Sequence, residues 1–169
     1  MRIRSIVVSV ATVGLMVGPA FAHGVLSSFA GAKTECTIIG TAADDGLNGT
    51  TRADVICSKA GQDDVQAFEG NDLVRLGQGD DQGEGDDGSD TVKGQADDDG
   101  VQGDDQNDHL YGGQGADCLG VDCAHTGDES GNDFLKSRDG VSGNDQVFGG
   151  ANTDTCVIDA GDTVQDCEL

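Results

Sequence analysis

Between Leu47 and Leu119 a lone aliphatic side chain recurs at nine-residue intervals, and two places before each one stands an aspartate. Taken from Gly40, the blocks read GTAADDGLN, GTTRADVIC, SKAGQDDVQ, AFEGNDLVR, LGQGDDQGE, GDDGSDTVK, GQADDDGVQ, GDDQNDHLY and GGQGADCLG. The sixth position is Asp in all nine: Asp45, Asp54, Asp63, Asp72, Asp81, Asp90, Asp99, Asp108 and Asp117. The eighth is Leu47, Ile56, Val65, Val74, Val92, Val101, Leu110 and Leu119, with Gly83 the exception. Even in so Asp-rich a stretch, a ninefold match in one phase has chance odds of about 1 in 100,000, so the period is a structural repeat.

One apolar residue per nine, set among glycines, cannot form the stripe of an amphipathic helix. Each short run around the aliphatic, such as Asp64-Val65-Gln66 or Thr91-Val92-Lys93, predicts a minimal strand, and the Gly-rich remainder a turn. No block can bury itself, so the pattern predicts an all-β solenoid whose blocks stack with their aliphatics inside. With two blocks per coil, residues 18 apart stack at roughly 4.8 Å. Asp45, Asp63, Asp81, Asp99 and Asp117 then line one edge, and Asp54, Asp72, Asp90 and Asp108 the other. Gly83 leaves its column of Val65 and Val101 without a side chain, so Gly83→Val is expected to stabilise the fold by about 1 kcal/mol.

The register breaks at 121–127 and resumes in DESGNDFLK with Asp133 and Leu135. It breaks again at 137–139 and resumes in GVSGNDQVF with Asp145 and Val147, followed by Asp154 in phase. The repeat region is therefore assigned to 40–157. Residues 158–169 fit one more unit, with Asp162 and Val164, after a slip of one, and are assigned as a cap for the open end. Residues 23–39 are assigned as a leader and N-terminal cap.

Charge sharpens this picture. The chain carries 32 acidic side chains against nine Lys and Arg, a formal charge of −23, which excludes nucleic acid and anionic membrane as partners of the bulk surface. Of the acids, 27 are Asp, the shorter and turn-compatible carboxylate. Carboxylates stacked one strand apart repel by about 1 kcal/mol per neighbour even in water, so a cation is needed between turns. Ca²⁺ suits such turns because it takes oxygen ligands from carboxylates and backbone carbonyls, whereas Mg²⁺ resists an all-protein cage. No periodic His or Cys is present to favour a softer metal. The candidate ligands are the twelve sixth-position aspartates: Asp45, Asp54, Asp63, Asp72, Asp81, Asp90, Asp99, Asp108, Asp117, Asp133, Asp145 and Asp154. The further acids Asp86, Asp87, Asp97, Asp98, Asp104 and Asp105 are read as surface charge.

The period resembles the hemolysin-type calcium-binding nonapeptide GGxGxDxUx of RTX proteins. Gly112 to Gly120 (GGQGADCLG) matches it in full, and AFEGNDLVR, DESGNDFLK and GVSGNDQVF keep its G-N-D-x-U core at Gly70, Gly131 and Gly143. The resemblance implies a right-handed parallel β-roll in which each ion lies between turns 18 residues apart, held by the sixth-position Asp and backbone carbonyls. The fourth position departs from Gly at Ala43, Arg52, Asp97, Gln106 and Asn152, and the first at Ser58, Ala67 and Leu76. Those turns are expected to hold calcium less well.

Residues 1–22 combine Arg2 and Arg4, the apolar run from Ile6 to Val17 and the small-x-small Ala20-Phe21-Ala22, the signature of a cleaved secretory signal peptide. Six cysteines in an exported chain predict disulfides. Local pairing gives Cys36 with Cys57, Cys118 with Cys123 and Cys156 with Cys167. The reading is a secreted, non-enzymatic calcium-binding repeat protein that folds on binding Ca²⁺. Its rivals are a structural or adhesive extracellular module and an extracellular enzyme with an active site not visible in the sequence.

Overall fold

The computed structural model describes residues 35–120 and 131–168. The signal peptide assigned to 1–22, most of the leader and the insertion at 121–127 lie outside the described residues. Within them run fourteen strands: β1 (Ile38–Ile39), β2 (Gly46–Asn48), β3 (Val55–Ala60), β4 (Asp64–Gln66), β5 (Leu73–Gln78), β6 (Gln82–Glu84), β7 (Thr91–Ala96), β8 (Gly100–Gln102), β9 (His109–Gln114), β10 (Cys118–Gly120), β11 (Phe134–Lys136), β12 (Gln146–Phe148), β13 (Thr155–Val157) and β14 (Thr163–Gln165). Odd-numbered strands form one seven-stranded sheet and even-numbered strands the other, each in sequential order. Every pairing is parallel. This is a parallel β-roll: each coil contributes one strand to each sheet.

The eighth-position aliphatics meet between the sheets. Ile56, Val74, Val92, Leu110 and Leu135 stand in register on the odd sheet. Leu47, Val65, Gly83, Val101, Leu119, Val147 and Val164 stand in register on the even one. Cys156 takes the last place of the odd column, opposite Leu135, inside the hydrophobic core. Irregular spacing is absorbed at constant register. The step between stacked aspartates is 18 residues from Asp90 to Asp108, 25 from Asp108 to Asp133 and 21 from Asp133 to Asp154.

The first position of the block also points inward, which the nine-residue pattern alone did not reveal. Strands β3, β5, β7 and β9 run six residues, through the block boundary, so the alternation that buries Val74 buries Leu76 as well. Ala67 and Leu76 are fully buried members of the core. This overturns the expected gain from filling Gly83. A Cβ there would stand 3.0 and 3.1 Å from the two δ-methyls of Leu76 and 3.1 Å from Cγ1 of Val92. The volume missing at Gly83 is already occupied by the side chain that Leu76 brings in place of the usual first-position glycine.

Two disulfides tie the ends. Cys36–Cys57 joins the segment before β1 to β3 and Cys156–Cys167 joins β13 to the C-terminal segment, with Cα separations of 5.9 and 5.8 Å. Cys118 is also disulfide-bonded, and its expected partner Cys123 lies outside the described residues. At the C-terminus Glu168 forms a parallel bridge with Thr155, covering the last coil.

Overpacking should therefore be the response at position 83. Gly83→Val is expected to destabilise the folded roll by about 1–3 kcal/mol, read from denaturant melts. Combining it with Leu76→Ala should recover part of that loss, because the two side chains compete for one space. Strict additivity of the two changes would contradict this packing.

Candidate metal centre

The sixth-position aspartates form two continuous hydrogen-bonded columns through the roll. In the first, the backbone N–H of Asp45 donates to Oδ1 of Asp63, that of Asp63 to Asp81, Asp81 to Asp99, Asp99 to Asp117 and Asp117 to Asp145, at 2.8–3.1 Å. In the second, Asp54 donates to Asp72, Asp72 to Asp90, Asp90 to Asp108, Asp108 to Asp133 and Asp133 to Asp154, at 2.6–2.9 Å. Glu168 ends the second column by accepting the N–H of Asp154 at 2.8 Å. From Asp63 and Asp72 onward each carboxylate thus satisfies a turn amide one coil away. All but Asp45 and Asp54 are buried.

The second oxygen is where the site becomes incomplete. Oδ2 of Asp63, Asp81, Asp90, Asp99, Asp117, Asp133, Asp145 and Asp154 is buried and accepts no hydrogen bond. A lone buried carboxylate oxygen is costly, so a protein retains it only where something else compensates. Burial raises several of them far above the ordinary carboxylate value of 3.8: Asp81 and Asp133 to about 6, Asp90 and Asp117 to about 7 and Asp99 to about 8. Desolvation is the leading cause in each; the backbone hydrogen bond opposes it, and neighbouring carboxylates add repulsion. Asp145 and Asp154 are raised for the same primary reason.

First-position glycines give the second oxygen its surroundings. The place a Cβ would take at Gly85 is 2.7 Å from Oδ2 of Asp90 and 2.8 Å from the carbonyl oxygen of Gly103 in the next coil. The same pairing, Asp99 carboxylate with Gly112 carbonyl, surrounds the Cβ position of Gly94. A carboxylate oxygen and a peptide carbonyl from successive coils therefore converge on a space that any side chain would close. Ser58, Ala67 and Leu76 put a side chain at the corresponding place in the blocks of Asp63, Asp72 and Asp81.

The turn backbone explains the rest of the glycine pattern and its exceptions. The second and fourth positions lie in the left-handed region in every block from 58 to 115, whatever the residue. Lys59, Phe68, Asp86, Gln95 and Asp104 hold φ between 67 and 91° at the second position, and Asp97 and Gln106 hold 77 and 85° at the fourth. Departure from Gly thus preserves the turn's path and adds strain, about 1–2 kcal/mol for a left-handed residue with a side chain. Asn152 keeps the same conformation. Ala43 and Arg52 do not, and their turns are closed differently. Thr41 donates through N–H and Oγ1 to Oδ2 of Asp45 at 2.6 and 2.9 Å, and Thr50 likewise to Asp54 at 2.9 and 2.7 Å. In these two blocks the second carboxylate oxygen is already engaged.

Several acids read as surface charge are built into the turns instead. Asp86 Oδ2 accepts the N–H of Phe68, Asp97 Oδ2 that of Gly79 and Asp98 Oδ1 that of Ala116. Fifth-position side chains form a further ladder outside the aspartate columns, as where Asn107 accepts from Asn132 and Asn132 from Thr153. The sequence signal was the polar residue that precedes the in-phase Asp in all blocks but those of Ala53 and Ala116.

The donor set fits a hard divalent cation. Buried carboxylate oxygens without partners face peptide carbonyls, with no thiolate or imidazole in the columns. Among the described residues no three acidic, His or Cys side chains cluster as a metal cage, so any such ion would draw on backbone oxygens as well. Fold and donors together define a β-roll of calcium-binding type. The model of the RTX calcium-binding nonapeptide repeat (four copies) matches residues 48–82, 84–118 and 129–164, more than half of the chain, which belongs to that family. No curated protein and no solved structure matches the chain.

Two outcomes test this geometry. Because the folded carboxyls hold protons that the unfolded chain releases above pH 3.8, the calcium-free roll should be stabilised in acid. That stability is full below about pH 3.8 and is lost as pH rises through 6 to 8. Circular dichroism in chelator should show more β-structure at pH 5 than at pH 8; equal content, or the reverse order, would contradict the buried columns. Gln106→Gly should relieve left-handed strain and raise stability by up to about 1 kcal/mol in denaturant melts with calcium.

Proposed function

We propose that this calcium-binding repeat protein is exported, and that Ca²⁺ bound between its turns by the column aspartates drives the roll to fold. The observation that carries the reading is the row of buried, unpartnered Oδ2 atoms, with carbonyls of the next coil converging beside those of Asp90 and Asp99. The first-position glycines grade the sites. Asp90, Asp99, Asp108 and Asp117 follow Gly85, Gly94, Gly103 and Gly112, and are the strongest ligands. Asp63, Asp72 and Asp81 follow Ser58, Ala67 and Leu76, and bind less tightly. Asp45 and Asp54, occupied by Thr41 and Thr50, act as turn caps for the first coil. Asp133, Asp145 and Asp154 continue the two columns beyond the insertion.

When bound, calcium supplies the positive charge that a closed column of carboxylates lacks. The chain's residues do the rest: glycines keep the space open, backbone amides hold Oδ1, and the aliphatic columns exclude water. Disulfides at both ends fit an oxidising, extracellular setting, and the basic, apolar and small-residue order of residues 1–22 supports export. The family's repeat is a structural, calcium-binding unit, and the reading assigned to this chain is a scaffold, with a structural or adhesive role for the folded roll as the second reading.

Circular dichroism of the chain from residue 23 onward, titrated with Ca²⁺ at neutral pH, should show β-structure appearing in the millimolar range or below, with Mg²⁺ much less effective. Asp117→Asn should raise the calcium midpoint several-fold. Asp64→Asn removes the same charge from an exposed place on the even sheet and should leave the midpoint nearly unchanged. Equal β content in chelator and in calcium at pH 8, or equal shifts from the two variants, would overturn the reading.

A further inference from the structure

The two sheets present very different outer faces. On the even sheet the outward positions are Gly46, Asn48, Asp64, Gln66, Gln82, Glu84, and onward through Gln146 and Gln165, with no Lys or Arg among them. On the odd sheet the ninth positions bring Arg75, Lys93, Tyr111 and Lys136 into a single line across β5, β7, β9 and β11. The seventh positions beside them are Leu73, Thr91, His109 and Phe134. The chain's one tyrosine therefore lies between two lysines, and three of its nine basic residues fall in one line on a molecule of charge −23.

The side chains form a connected patch. Lys93 Nζ lies over the Tyr111 ring, 5.3 Å from its centroid. Tyr111 and Phe134 are 6.0 Å apart and His109 and Phe134 5.7 Å, both tilted. Among the described residues neither Lys93 nor Lys136 pairs with a carboxylate, although acids outnumber bases more than threefold. Arg75 and Lys93 stand directly opposite on neighbouring strands, an arrangement that costs stability. Lys59 and Arg75 also line a groove of about 440 Å³ with Gln78 and Gln95 at the same face. An acidic solenoid thus gathers cations and rings on one sheet face, where the two lysines have no carboxylate partner among the described residues.

We propose that this face binds an acidic polysaccharide, a glycan carrying uronate carboxylates, laid across the strands along the line from Arg75 to Lys136. Lys93 and Lys136 are two strand spacings, roughly 9.6 Å, apart with the tyrosine ring between them. Each residue of a polyuronate carries its carboxylate on the pyranose ring itself, so the lysines take carboxylates along the chain while Tyr111 and Phe134 pack against pyranose faces. An acidic peptide is less well served, because β7, β9 and β11 are interior strands with no free edge to extend. A nucleic acid carries the densest charge and meets the greatest repulsion from the turn acids Asp97, Asp98, Asp104 and Asp105 at the ends of these strands.

The proposal rests on strand register, not on the calcium reading, so its test is run in saturating calcium with circular dichroism verifying the fold of each variant. With no Trp and one Tyr in the chain, tyrosine fluorescence reports from the patch itself. Short oligogalacturonate should give saturable binding below about 1 mM that weakens as salt rises, while a neutral oligosaccharide of equal length should not bind. Lys93→Gln with Lys136→Gln should weaken binding at least tenfold, followed by calorimetry. Tyr111→Leu should weaken it several-fold with an unchanged salt dependence, whereas Arg52→Gln, the same charge removed from a distant turn, should leave it as it is. No saturation, equal affinity for the neutral sugar, wild-type binding by the double variant, or tighter binding of polyglutamate or single-stranded DNA would each overturn the assignment.

Discussion

The hydrogen bond from one coil's aspartate N–H to the next coil's aspartate Oδ1 is the constraint around which the roll is organised. It fixes the distance between turns, because the carboxylate must reach a specific amide one coil away. It also fixes the register: the same bond persists when the loop between coils lengthens from 18 to 25 or 28 residues. Once the turns are locked in this way, the strands follow, and the aliphatic two residues later is delivered to the interior.

That bond satisfies one oxygen and strands the other. Burial withdraws water from Oδ2, and the coil offers no amide in exchange, so the carboxyl is pushed toward its neutral form. The same geometry that builds the fold creates an electrostatic deficit repeated along both columns. A proton or a divalent cation relieves it, and family membership identifies calcium as the family's ligand. In the proposed reading, folding and ion binding share one group: the carboxylate that holds the turns is the one that would take the ion's charge.

The roll separates its tasks by position within the block. The eighth position fills the core, the sixth locks the turns, the second and fourth reverse the chain, and the seventh and ninth face solvent. These last two carry the least structural duty, although Val55 and Gln102 are buried and Cys57 and Cys118 are in disulfides. On the even sheet they carry no Lys or Arg; on the odd sheet they carry the lysines and most of the rings. A repeat scaffold can therefore carry recognition on its strand faces without disturbing its turns.

The sequence by itself determined what a nine-residue period can encode. The phase of the aspartates and aliphatics gave the parallel roll, the columns Asp45 to Asp117 and Asp54 to Asp108, and the choice of an oxygen-seeking cation. It also placed the end disulfides Cys36–Cys57 and Cys156–Cys167, whose pairing is local. Three matters were decided only in three dimensions. Leu76 lies inside because β5 runs through the block boundary, so the gap at Gly83 was filled by a neighbour the pattern assigned to a turn. Lys59, Phe68 and Gln106 adopt left-handed geometry because the stacked coils impose it, which no local preference of those residues predicts. Arg75, Lys93, Tyr111 and Lys136 are neighbours because strand register brings together residues 18 or 25 apart, and a chemistry spread thinly along the chain becomes dense only across the sheet.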